Sequence, residues 1–195
     1  MRYVPARVDA DAARLFFRRR RWGNLFGLLT RDGPAHDKTP GTSAPLPCIE
    51  RVWIPHYLVD FRVESRKGPG EISISLDACS GSFAIFQMHT DLEEGELVED
   101  CLTPLIPEDV AIKQGRRQLL QAIMRRRGQY GKPIIKETLG LSTFYYPFWV
   151  YYFQRRGKYI DVHLQDACSA ERGGNRTRQG VLNAFVAQHN TKDTS

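Results

Sequence analysis

Polar and apolar positions alternate with a period of two over two stretches of the chain. In the first, Tyr57, Val59, Phe61 and Val63 alternate with His56, Leu58, Asp60 and Arg62, and Ile72, Ile74 and Leu76 alternate with Ser73, Ser75 and Asp77. That period predicts two strands with one apolar face, joined as a hairpin by the turn Lys67-Gly68-Pro69-Gly70. Asp77-Ala78-Cys79-Ser80-Gly81 reads as a second turn and Phe83-Ala84-Ile85-Phe86 as a third strand. The second hairpin runs from Pro147 to Asp166, with Arg156-Gly157 at its turn. Trp149, Tyr151 and Phe153 fall on one face and Phe148, Val150 and Tyr152 on the other. A strand apolar on both faces is covered on both sides. The C-terminal helix, the other half of the chain or a partner chain can supply that cover.

Helical patterns precede each hairpin. Val8 to Phe17 reads as a helix start, capped by Asp9, and carries Arg18, Arg19, Arg20 and Arg21 before Gly23-Asn24. Pro107-Glu108-Asp109-Val110-Ala111 opens a second helix. Its apolar side holds Ile112, Leu119, Ile123 and Met124, its basic side Arg116, Arg117, Arg125, Arg126 and Arg127, and Gly128 stops it. Thr177 to His189 is a third helix, with Val181, Leu182, Phe185 and Val186 on one face. Residues 30–47, rich in Gly, Pro, Ser and Thr, form a loop.

The order helix, connection, hairpin, turn occurs twice. Asp77-Ala78-Cys79-Ser80 returns as Asp166-Ala167-Cys168-Ser169, and Pro55 and Pro147 each sit inside an aromatic strand. The expected fold is therefore α+β, with two similar units that each pack a helix on a small antiparallel sheet, plus a C-terminal helix. The units span 1–90 and 107–195, with an acidic linker at 91–106. One detail breaks the match. Aligning the two Asp residues sets Leu76 against Gln165 and Ser75 against Leu164, which reverses the apolar phase. Either a bulge restores the phase or the halves bury opposite faces of that strand.

Asp11-Ala12-Ala13 followed by Ser75-Leu76-Asp77-Ala78-Cys79-Ser80-Gly81 resembles the PepSY-type repeat, as does Asp109-Val110-Ala111 followed by Leu164-Gln165-Asp166-Ala167-Cys168-Ser169-Ala170. The aromatic-Pro-aromatic strands are also similar to those of uncharacterised bacterial proteins with YPYW-type repeats. The resemblance implies a helix packed on an antiparallel sheet and no catalytic residues.

Composition narrows the functional classes. With 195 residues, 42% hydrophobic content and a net charge of +6, the chain is a folded globular protein for which an anionic partner is open. No run approaches the roughly 20 apolar residues of a membrane span, and the first residues lack the apolar core of a signal peptide, so a cytoplasmic location is expected. Cys48, Cys79, Cys101 and Cys168 form no CxxC pair and are expected as free thiols; a Cys79–Cys168 disulfide requires the repeats to face each other. The repeated Asp residues suit turns, and no spacing ties His56, His89 or His163 to a cysteine. There is no HxxxH or HExxH either, so no metal and no cofactor is expected. Gly173-Gly174-Asn175-Arg176-Thr177 precedes a helix, where an anion can bind, but it lacks the lysine of a P-loop.

These features point first to a non-catalytic protein-binding or scaffold subunit. It binds a protein partner or itself through Phe148, Trp149, Val150, Tyr151 and Tyr152. The alternative is a nucleic acid or anionic surface, held by Arg18, Arg19, Arg20, Arg21, Arg125, Arg126 and Arg127. The third reading is an enzyme that uses Cys or Asp at the repeated turns.

Overall fold

The computed structural model describes residues 1–22, 36–38, 45–97, 101–125, 132–155 and 159–192. Along the chain run β1 (Arg2–Tyr3), α1 (Ala10–Trp22), β2 (His36–Asp37), β3 (Cys48–Ser65), β4 (Gly68–Asp77), β5 (Phe83–Ile85), β6 (Glu93–Glu94), α2 (Glu108–Arg125), β7 (Ile134–Arg155), β8 (Tyr159–Asp166) and α3 (Asn175–Lys192). The fold is α+β, with a mixed sheet of these eight strands.

The two long strands β3 and β7 lie side by side, antiparallel, from Cys48↔Tyr152 to Glu64↔Ile134. Each carries its hairpin partner on its outer side, β4 on β3 and β8 on β7. Pro55 pairs with Tyr145 and Trp53 with Pro147, so the Ile54–Tyr146 pair lies midway between the two prolines. Two register shifts, one between Asp60 and Phe61 and one between Arg62 and Val63, leave Leu139 and Lys136 as extra residues of β7. They keep Ile135 on the buried face opposite Val63.

Alternation along β3 assigns the core to two layers. The odd-numbered positions face the first two helices. Ile49 and Trp149 pack with Ala13 and Phe17 of α1. Tyr57, Val59, Phe61 and Leu76 pack with Ala111, Leu119 and Ile123 of α2. The even-numbered positions Cys48, Val52 and Ile54 pack with Phe148, Val150 and Tyr152 against Val181 and Ala184 of α3. Val186, expected on the buried face of α3, is instead exposed, and Ala184 takes the inner position. Gly180 lets α3 approach the first turn, because a Cβ there would sit 2.9 Å from the Ser80 backbone nitrogen. On the same side of the sheet, Leu58 and Phe144 are covered by Phe86 and, at the edge, by Met88 and Leu92.

The apolar phase reversal is real and has no bulge behind it, since β7 and β8 pair without a register shift. Leu76 lies across from Tyr57 on the α2 face, whereas Gln165 lies across from Trp149 on the α1 face. Leu164 turns the other way, into the cluster under α3. Each strand end buries both of its faces, and the second half puts its leucine under the C-terminal helix.

The acidic stretch is partly ordered into the sheet. Glu93 and Glu94 pair with Tyr3 and Arg2 along β1, while residues 98–100 lie outside the described residues. Within 30–47, the stretch expected as a loop, β2 pairs in parallel with Cys48 and Ile49, while residues 30–35 and 39–44 lie outside the described residues.

Candidate functional site

Each Asp-Ala-Cys-Ser turn is closed by its aspartate. Asp77 Oδ1 accepts from the amides of Cys79 (2.8 Å) and Ser80 (3.0 Å), and the Ser80 hydroxyl donates to Oδ2. Asp166 Oδ1 accepts from the amides of Cys168 (2.8 Å) and Ser169 (2.9 Å). The next residue is left-handed in both, Gly81 at φ 69 and Ala170 at φ 62. Both aspartates are thus consumed in turn geometry.

The chain segments that lead into the helices cross over between these turns. Ahead of α1, the amides of Arg7 and Val8 both donate to the carbonyl of Ala167, in the second turn (2.8 Å each). Ahead of α2, Leu105 and Ile106 donate to Ala78 in the first (3.0 and 2.9 Å). The aromatic clasps match as well. Trp149 Nε1 donates to the Val8 carbonyl at 2.8 Å, and the Tyr57 hydroxyl donates to the Ile106 carbonyl at 2.8 Å.

At the first turn the space beside the helix is filled. Gln114 and Gln118 of α2 both donate to the Gly81 carbonyl at 3.2 Å, and a Cβ on Gly81 would lie 2.4 Å from Gln114 Nε2. At the second turn the corresponding space is an open groove of about 730 Å³. One turn on from the buried Ala111 stands Gln114; one turn on from the buried Ala13 stands Phe16, which lines the groove instead of bridging it. Val8, Ala12 and Leu15 continue this apolar wall, and Ala170 closes the far side. Arg7 and Arg172 bring positive charge to the groove, while Asp9 is engaged as the cap of α1, accepting from the Ala12 amide at 2.7 Å.

Gln165 lies at the inner side of the groove, 2% exposed. Its Nε2 donates to the Ala170 carbonyl at 3.2 Å, and its Oε1 is buried with no hydrogen-bond partner among the described residues. The corresponding residue of the first half, Leu76, is fully buried in the α2 cluster.

No family model, curated protein or solved structure matches the chain.

The aromatic hairpin expected as a partner surface is covered by the chain itself. Phe148, Trp149, Val150 and Tyr152 are buried, between α1 on one face and α3 on the other, and Tyr151 stacks on Phe17 at 5.3 Å. A partner would have to displace a helix to reach them. Of the expected anion-binding arginines, Arg18 and Arg125 are exposed at the ends of α1 and α2. The side chains of Arg19, Arg20, Arg21, Arg126 and Arg127 lie outside the described residues. Gly173 packs tightly, a Cβ there falling 2.5 Å from Leu164 Cβ, which accounts for the glycine without an anion.

None of Cys48, Cys79, Cys101 and Cys168 is in a disulfide. Burial pushes the Cys79 thiol up to about 12 and the Cys168 thiol up to about 11, with Asp77 and Asp166 adding to the rise. Their Sγ atoms face the carbonyls of Thr103 (3.7 Å) and Pro5 (3.6 Å). Among the described residues no group of three or more His, Cys, Asp or Glu could hold a metal, and no helix is long and apolar enough to cross a membrane.

His56 is the most constrained titratable group near the turns. Its Nδ1 lies 2.9 Å from Ser75 Oγ, its Nε2 is buried without a partner among the described residues, and its ring contacts Phe144 and Tyr146. Burial holds its pKa below the ordinary value, and Asp77 and Asp166 offset this only in part. His163 is lowered for the same reason. A histidine kept neutral in the folded state contributes stability that is present above about pH 6.5 and is lost as the pH falls below it. His56→Phe installs the residue found at the matching place, Phe148. We expect that variant to lose less stability than the parent between pH 7 and pH 5 in urea titrations. An unchanged loss would show that His56 does not carry the dependence.

Proposed function

We propose that the chain is a non-catalytic binding protein built from two related α+β units of the PepSY-like kind, with an open groove for a partner between α1 and the second turn. The observation that carries this reading is the contrast between the turns. The same backbone hydrogen bonds surround both, yet one groove is filled by Gln114 and the other is open and lined in part by Gln165, whose buried Oε1 has no partner among the described residues. The thiols and carboxylates at the turns support the non-catalytic part. The former are held in their protonated form, and the latter are spent on backbone amides.

Affinity purification of the full chain from its native cell, in parallel with Ala12→Trp, tests the reading. Ala12 is exposed on the groove wall, so an indole there plugs the groove without entering the core. The expected outcome is a partner retained by the parent and lost from the plugged variant. Equal retention by both, or a monomer with nothing bound, overturns it.

A further inference from the structure

The chemistry of the groove restricts what fits it. Its wall of Val8, Ala12, Leu15 and Phe16 takes an apolar group. Gln165 Oε1 is a buried acceptor with no hydrogen-bond partner among the described residues, so an occupant that satisfies it must bring an N–H to that point. Arg7 and Arg172 favour a negative charge close by. Arg7 lies 3.4 Å from Asp91, but it is largely exposed and can turn to a second carboxylate. The α1 amides add nothing here, because Asp9 already caps that end. A fatty acid has the charge and the apolar body but no N–H. A nucleotide has the charge but no apolar body for the wall.

We propose that the groove binds the carboxyl-terminal end of an apolar peptide segment, with the terminal carboxylate between Arg7 and Arg172, a backbone amide donating to Gln165 Oε1, and the last side chains against Leu15 and Phe16. This deepens the binding reading above and rests on it. The groove is open to solvent along its length, and its volume of about 730 Å³ accommodates two or three residues of an extended chain rather than a folded domain. Capture of a terminal carboxylate in this way is a recurring mode of peptide recognition. It also explains why a glutamine stands where the other half has leucine: leucine would seal the cluster but could not accept the amide.

The test uses the full chain and a pool of fluorescein-tagged hexapeptides ending in two apolar residues, read by anisotropy. Peptides with a free carboxylate are expected to bind, and the same pool amidated at its end to bind roughly tenfold or more weakly, the factor set by losing a charge-assisted hydrogen bond. Gln165→Leu is expected to weaken binding by about tenfold. Arg172→Glu, an exposed change that leaves the core alone, is expected to weaken the free-carboxylate pool while leaving the amidated pool unaffected. Decanoate is expected not to compete. Equal binding of both pools, or binding untouched by Gln165→Leu and Arg172→Glu, overturns the proposal. If no peptide end binds while Ala12→Trp still releases a native partner, the ligand class is wrong and the binding reading stands. If Ala12→Trp releases nothing, that reading itself fails.

Discussion

Leu76→Gln is expected to destabilise the protein by about 3–5 kcal/mol, whereas the reverse exchange at the matching place, Gln165→Leu, is expected to stabilise it by about 1–3 kcal/mol. Leu76 has no exposed surface and packs with Tyr57, Ile74 and Leu119 under α2. A glutamine there both removes apolar contacts and strands a carboxamide in a cluster with nothing to bond it. At position 165 the situation is inverted. The carboxamide is already buried, one of its atoms already lacks a partner, and the side chain's bond is to the carbonyl of Ala170, an exposed residue where water can take over the bond. Urea unfolding with an unchanged slope measures both. A destabilising Gln165→Leu would mean that Oε1 is satisfied in solution, and the argument for a ligand there would lose its strongest support. A gain in stability together with a loss of peptide binding would identify Gln165 as a residue kept for function at the expense of stability.

Trp149→Ala is expected to cost about 3–5 kcal/mol. The indole is 8% exposed, packs with Ile49, Phe17 and Ala167, and clasps the segment ahead of α1 through the Val8 carbonyl. Trp149→Phe keeps most of the packing and removes only the clasp, for an expected loss of about 1–3 kcal/mol. Tyr57→Phe makes the same deletion at the other clasp, where the hydroxyl meets Ile106, and a loss of similar size is expected. If Trp149→Ala cost less than about 1 kcal/mol, α1 would not be anchored on the second hairpin as described.

Local chemistry was legible in the chain, and long-range cover was not. The hairpins, the Asp turns, the Asp9 cap and all three helices followed from periodicity and turn residues, because these depend on neighbours a few positions away. The two-sided aromatic strand correctly implied cover on both faces. Sequence could not say that the cover is α1 and α3, since nothing in Phe148 or Val150 distinguishes a helix of the same chain from a partner. The groove was missed because Arg7, Phe16 and Arg172 carry no motif and meet only through tertiary folding. One trace of it was visible. The mismatch of Leu76 with Gln165 marked the position where the halves part company, although its meaning needed the Trp149 and Tyr57 pairings to interpret.

The crossing of the two lead-in segments has a consequence for how the molecule is made. Tyr3 pairs with Tyr145, and Arg7 and Val8 bond to Ala167, so the earliest part of the chain is anchored on some of the latest. Such distant contacts carry a large loop-closure cost and slow the acquisition of structure. On the ribosome, α1 emerges long before its seat exists. Its apolar side, Ala13 and Phe17, must wait in solvent or with a chaperone until the second hairpin is complete. The first hairpin needs no such delay for its own helix, because α2 follows it directly. Synthesis therefore favours an order in which the first hairpin and α2 assemble first, and α1 docks only once the second hairpin is complete.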